Sequence, residues 1–238
     1  MSQTAQRNLL LLKLPKEEAA KVLAVAEFVH IDVRESVIEP NRPIDFVDFL
    51  QSGVISIVSQ MNNGRMVEIA NVGNEGFIGI PILLNVESIP EKAFCQVEAT
   101  AWRISAKNFK KVLLESPALS SLCHKYLATF LNQVARNSGC NWVHSIEERC
   151  ARWLLLTHDR VEGDEFFLTQ EFLAMMLGVT RSGVNLAAGM LAKAQLITYV
   201  RGKITVLDRA GLEQVTCECY SSMRSYFDKT FGLLPSPL

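Results

Sequence analysis

Between residues 28 and 104, apolar and polar positions alternate in short runs. VISIVSQ (54–60) sets Val54, Ser56 and Val58 on one face and Ile55, Ile57 and Ser59 on the other, the period-two pattern of a strand. DFVDFL (45–50) and MVEIANV (66–72) have the same texture. QSG separates the first two runs, and MNNGR joins the last two through an Asn63-Gly64 pair suited to a tight hairpin turn. Many short strands punctuated by glycine predict an antiparallel β-roll of the jelly-roll type.

After Ile104 the period becomes helical. Ser105 is placed to cap AKNFKKVLLE, and Pro117 opens a longer helix to about Asn137. Two stripes run along that helix: Leu119, Leu122, Tyr126, Thr129 and Gln133 on one, Cys123, Leu127, Phe130 and Val134 on the other. One suits the β-domain and the other a partner helix, with a single wide buried face as the alternative. Gly139 interrupts the pattern. Ser145 and Glu148 then form a capping box for IEERCARWLLLTHD.

Residues 168–197 read LTQEFLAMMLGVTRSGVNLAAGMLAKAQLI. Thr169 caps a helix to Leu177, Gly178 turns the chain, and Thr180 caps a second helix to about Ala194. Phe172, Leu173, Met176 and Leu177 face Val184, Ala187, Ala188 and Leu191, leaving Arg181, Ser182, Asn185, Leu186 and Gly189 outward. ITYV, RG and KITVL follow as strand, turn and strand, a wing. A last helix is predicted from near Asp208, with Leu212, Val215, Cys219, Met223 and Phe227 on one side.

The net charge of −1 announces no nucleic-acid partner. Locally, residues 168–207 carry four basic side chains against Glu171 alone, a net of +3 on an otherwise acidic chain, which suits phosphate binding. With 49% hydrophobic residues in 238, the chain can bury a large core, yet no apolar run approaches the roughly 20 residues of a membrane span. A cytoplasmic protein without a membrane partner is expected. The six cysteines show no CxxC pair and no zinc-type spacing with histidine, so reduced, buried thiols are expected and no metal site.

In this order of elements the chain resembles the Crp/Fnr family of bacterial transcription regulators over nearly its full length, most specifically in LTQEFLAMMLGVTRSGV and in GNEGFIG (73–79). The resemblance implies an α+β protein: an antiparallel β-roll effector domain (13–116), a dimerisation helix and hinge (117–140), a winged helix-turn-helix (144–211) and a C-terminal helical extension (212–238). It implies a homodimer that binds double-stranded DNA at a roughly palindromic operator under a signal sensed at the β-roll, and that touches RNA polymerase if it activates. Arg181 matches the family's leading base reader, with Ser182 and Asn185 beside it. Thr169, Gln170 and Thr180 are placed for phosphates, and Arg201 and Lys203 for the wing's charge contacts. Ser182 and Leu186 depart from the cyclic-AMP receptor subgroup's Glu and Arg, so a different operator is expected. Leu186 suits either a thymine methyl or the core.

The effector region, with Phe77, Gly79, Ile80, Lys92 and Cys95 as candidates, departs further. Ile80 stands where the cyclic-AMP subgroup has a ribose-binding Glu, and Glu91, Lys92 and Ala93 replace its Arg with Ser or Thr. No cofactor is predicted: a cyclic-AMP response is not expected, nor an iron–sulfur cluster, since no cysteine precedes Cys95; haem is left open. Cys123 or Cys140 offers a redox sensor near the helix and hinge. An enzyme lacks any nucleophile–base pairing here. A ligand-binding or assembly module without DNA readout is the alternative, and it leaves the positive segment and the wing unexplained.

Overall fold

The computed structural model describes residues 6–62 and 64–232. Helices α1 (Leu9–Leu12) and α2 (Lys16–Leu23) precede strands β1 (Glu27–Ile31), β2 (Ser36–Ile38), β3 (Phe46–Gln60), β4 (Met66–Val72) and β5 (Phe77–Ile78). Helix α3 (Ile80–Leu83), strand β6 (Lys92–Ser105), α4 (Ala106–Glu115) and the long α5 (Pro117–Val143) follow. Then come α6 (Ile146–His158), β7 (Glu165–Phe167), α7 (Gln170–Leu177), α8 (Arg181–Lys193), β8 (Ile197–Val200), β9 (Lys203–Val206), α9 (Arg209–Val215) and α10 (Cys219–Phe231). The architecture is α+β, an N-terminal antiparallel sheet, a long helix and a C-terminal helix-turn-helix with a small sheet. It divides into two units, one of residues 1–57 and 71–128, the other of residues 58–70 and 129–238.

The N-terminal sheet runs β1-β6-β3-β4, with β2 also on β6 and β5 on β3. Runs 45–50 and 54–60, expected as separate strands, are one 15-residue strand. Gly53 permits the paired strand to run on through this point. Its φ of +81° is open to glycine at little cost, and a Cβ there would meet the Glu98 carbonyl oxygen at 2.3 Å. The QSG segment is therefore a local irregularity in a paired strand, not a turn. The expected turn residue Asn63 lies outside the described residues.

In the first unit Phe77 packs its ring 5.3 Å from both Phe49 and Tyr126 and 6.0 Å from Phe109, joining β5, β3, α5 and α4. Phe49, Phe77 and Phe109 are wholly buried, each contributing about 2–3 kcal/mol of transfer free energy. The buried carboxylate of Asp48 accepts two bonds from Arg103, at 2.7 and 2.8 Å.

The second unit is built round α6. The expected capping box is formed: Ser145 Oγ accepts from Glu148 N–H, and Glu148 accepts from Ser145 N–H at 2.8 Å. Nine of the 13 residues of α6 are buried, and the helix packs against α8, α9 and α10. Its two buried guanidiniums are tied to backbone and amide: Arg149 donates to the Leu177 carbonyl, and Arg152 donates to Asn137 Oδ1 at 2.6 Å. Asn137 passes the contact on to the Ile69 carbonyl, at 2.9 Å.

Two helices differ from expectation. α5 does not stop near Asn137 but continues through Gly139 to Val143, 27 residues in all. A glycine in a helix costs about 1 kcal/mol relative to alanine, and here Asn137 and Cys140 on either side of it are buried and hold the last turns down. The final helix, expected as one, is broken. Thr216 adopts an extended conformation (φ −79°, ψ 160°) between α9 and α10, and its hydroxyl donates to the Glu148 carbonyl.

Candidate functional site

The helix pair forms as its sequence requires. Thr169 Oγ1 accepts from Phe172 N–H at 3.2 Å, and Thr180 Oγ1 accepts from Gly183 N–H at 3.2 Å, so each threonine caps its helix. Between them Gly178 closes α7 in the left-handed conformation, φ 64°. Val184, Ala187, Ala188 and Leu191 of α8 are buried. The opposite edge, with Arg181, Ser182, Asn185 and Leu186, is exposed, Leu186 at 63%. Leu186 is therefore not core. One rigid face carries a guanidinium, a hydroxyl, an amide and a methyl-bearing side chain, groups that match the donors, acceptors and thymine methyl of a major groove.

Two expected contact residues are bonded to each other: Gln170 Nε2 donates to Asn185 Oδ1 at 3.0 Å, fixing the amides across the turn. Thr180 and Ser182 share a hydroxyl contact of 3.0 Å. In the small sheet, ordered β7-β9-β8, Arg201 and Gly202 make the hairpin turn with φ of 51° and 82°, both positive as a tight two-residue turn demands. Arg201 is exposed there. Lys203 points back along the sheet to Glu165, 2.5 Å away, so its charge is partly neutralised. Tyr199 anchors the sheet by donating to the Leu168 carbonyl at 2.7 Å; burial pushes its phenol up to about 12.

Of the effector candidates, Phe77, Gly79, Ile80 and Cys95 are all buried. Phe77 belongs to the aromatic core. A Cβ on Gly79 would meet Val47 at 2.9 Å. The Cys95 thiol lies 3.3 Å from the Ile31 carbonyl, and burial pushes its pKa up to about 12. Lys92 is half-buried and pairs with Glu39 at 3.4 Å. At two of these positions the chain therefore presents hydrocarbon, at Ile80, and a lysine paired with a carboxylate, at Lys92.

The cysteines overturn the expectation of a chain with no cofactor, no iron–sulfur chemistry and no metal-type spacing. Cys140, His144, Cys217 and Cys219 bring their ligand atoms within 4.8 Å of one another, a donor set of the kind that holds zinc or iron–sulfur centres. Cys140 and Cys217 Sγ are 3.5 Å apart, and Cys219 Sγ is 3.8 Å from His144 Nδ1. All three thiols are buried and free of disulfides. Hydrogen bonding from Cys217, with Arg152 nearby, draws the Cys140 thiol below its ordinary range, while the same contact and burial push Cys217 up. Two signals were present in the sequence, a Cys and a His four apart (140, 144) and a C-x-C pair (217, 219). What hid them was the gap of 77 residues from Cys140 to Cys217. Cys123, the other redox candidate, is wholly enclosed, and burial raises its thiol.

Residues 28–116 match the family described as the cyclic nucleotide-binding domain, and residues 148–215 match the Crp-like helix-turn-helix domain. No curated protein matches by sequence. Among solved structures, the chain is similar to a putative Crp/Fnr-family transcriptional regulator of Eubacterium rectale, with 18% identity over 87% of this chain and 97% of that one, at a TM-score of 0.66. A CRP-family transcriptional regulator of Thermus thermophilus is 18% identical over 79% and 95%, at 0.66. A putative cyclic nucleotide-binding protein of Ruegeria pomeroyi is 19% identical over 90% and 98%, at 0.63. At these identities the likeness to solved structures is one of fold. The two matched domains, in this order, place the chain in the Crp/Fnr family of DNA-binding transcription regulators, which are not enzymes.

Proposed function

We propose that the protein is a sequence-specific regulator that binds a roughly palindromic operator as a homodimer, with the β-roll as its sensing half. The observation that carries this reading is the exposed polar edge of α8, backed by a fully buried apolar one. A helix fixed in this way can enter a major groove without rearranging its side chains. Arg181 then reads a guanine edge, Asn185 and Ser182 take neighbouring positions, and Leu186 meets a thymine methyl. Thr169, Gln170 and Thr180 lie at the helix N-termini, where backbone N–H groups and hydroxyls hold phosphates. Arg201 at the wing tip adds a sequence-independent contact, and Lys203 does so only by giving up Glu165. RNA polymerase is the further partner if the protein activates.

The dimer reading rests on α5. Leu127, Leu131, Val134 and Ser138 repeat at four-three-four spacing along it, Leu131 is 58% exposed, and Leu127 and Val134 are half-buried, the pattern of a seam between two helices. Selection of bound fragments from genomic DNA, followed by footprinting, tests the whole reading. The expected result is an enriched inverted repeat with half-sites about 10 bp apart, centre to centre. Enrichment of single, unpaired sites would remove the dimer, and no enrichment would remove sequence-specific reading.

A further inference from the structure

We propose that Cys140, His144, Cys217 and Cys219 form a binding site for a single thiophilic divalent cation of the zinc type, which ties the C-terminal helix α10 to the end of α5. In a tetrahedral site with metal–sulfur bonds of about 2.3 Å, neighbouring ligand atoms stand about 3.8 Å apart. Two observed separations, 3.5 Å between two thiols and 3.8 Å between thiol and imidazole, are close to that spacing, and every pair lies within 4.8 Å, near enough for the four groups to close on one ion by small side-chain movements.

The backbone is arranged to make this convergence. His144 N–H bonds the Cys140 carbonyl at 3.1 Å, so the helical pitch carries the imidazole over the Cys140 thiol. Residues two apart on one helix point to nearly opposite sides. Had α9 continued into α10, Cys217 and Cys219 would not meet at one point. The extended Thr216 breaks the helix just before them and turns both thiols inward. The local core that results consists of Cys140, Cys217 and Cys219. Aliphatic or aromatic side chains would fill such a space with more apolar area, so packing alone does not account for three thiols at this point.

The imidazole is oriented by a carboxylate. Glu218 Oε2 lies 3.1 Å from His144 Nε2, an acceptor placed for an Nε2–H, and this arrangement turns Nδ1 toward the thiols, 3.8 Å from Cys219 Sγ. A carboxylate behind the ligating histidine is the usual outer partner of a metal site. The field is favourable as well: Arg149 and Arg152 are buried, each with an Nε–H that finds no hydrogen-bond partner, and three thiolates with one divalent cation leave a net negative charge for them to face. On binding, each thiol releases its proton to solvent as its metal–sulfur bond forms, with no change of oxidation state.

The test uses the full chain, purified reduced, stripped with a chelator and reloaded with zinc or cobalt(II). One metal per chain is expected, and with cobalt the ligand-field bands of a tetrahedral thiolate site. Alkylation should spare Cys140, Cys217 and Cys219 in the loaded protein and label them after chelation, while Cys95, Cys123 and Cys150 behave alike in both. The double variant C217S/C219S should lose the cobalt bands, and E218Q should weaken binding by about 10- to 100-fold. Undiminished cobalt uptake by the double variant would overturn the site. So would a metal-free reduced chain that takes up neither ion, or a Cys140–Cys217 disulfide in its place. Several irons with acid-labile sulfide would overturn the single ion. If the double variant does not fold, the alkylation pattern of the unaltered chain decides by itself.

Discussion

Arg181 and Arg201 carry the same guanidinium, but one sits on the face of a rigid helix and the other at the tip of a hairpin. Position decides what each can specify. A bidentate contact to guanine contributes about 1–3 kcal/mol of discrimination, so R181A should relax the preference at one base pair of each half-site and leave the remaining positions readable. On the proposed reading Arg201 meets a phosphate, so for R201A affinity should fall by a similar factor for all sequences, and the slope of log affinity against log salt should drop by about one. Binding isotherms on a panel of single-base operator variants at several salt concentrations separate the two outcomes. If R201A changes base preference instead, the wing enters a groove. At this scale the sequence was legible where the outcome depends on a residue's own helix: Thr169 and Thr180 cap theirs, and Arg181 is on the exposed edge of α8. It was not legible where the role depends on a partner far along the chain: Lys203 is held by Glu165, Asn185 by Gln170, and Cys140 meets Cys217.

The helices of the C-terminal unit are set by their ends, and two of those ends make predictions. Glu148 is held below its ordinary range first by the Ser145 N–H and then by the Ser145 hydroxyl. A depressed carboxylate pKa stabilises the fold above the unfolded value of about 4.3 and loses that contribution as pH falls through the folded value. E148Q keeps an acceptor at this cap without the charge. Its thermal stability should therefore fall less steeply than the parent's on acidification below about pH 5, and parallel curves would show that Glu148 has no such role. Gly178 makes the second prediction. G178A forces a Cβ into a left-handed residue, at a cost of about 1–2 kcal/mol, and brings it to 3.0 Å from Val67. Denaturant titration should show that loss, and operator affinity should fall with it because the same turn aims α8. The turn, both caps and the capping box were legible because each is written within four residues. The two elements that were not show why. β3 passes through QSG because strands on both sides pair with it, and α5 passes through Gly139 because Asn137 and Cys140 are anchored by distant groups. Tertiary partners overrode a local breaker in both cases.

For the molecule as a whole, the order of domains was legible, but the faces of α5 were only partly so. Leu119, Tyr126 and Thr129 are buried as one stripe, yet Cys123 joins them instead of the outer stripe, and Leu131, assigned to neither, is the large apolar residue left exposed mid-helix. Helical period tells which residues share a side; it does not tell which side another element covers. If Leu131 marks the seam between two copies, L131E places two carboxylates against each other at the centre of a coiled-coil contact, where like charges and lost packing oppose association. Since the side chain is already in water in a single chain, the monomer should keep its fold, with an unchanged circular dichroism spectrum and sedimentation as one chain. DNA binding should suffer more than folding. Two half-sites gripped by one dimer gain from effective concentration by a factor of roughly 10²–10⁴, so a monomer carrying an intact α8 should bind the full operator at least about 100-fold more weakly while retaining the same base preferences. A dimeric L131E protein with undiminished affinity would move the seam elsewhere on the molecule. A monomeric one with undiminished affinity would mean that the operator is read one half-site at a time.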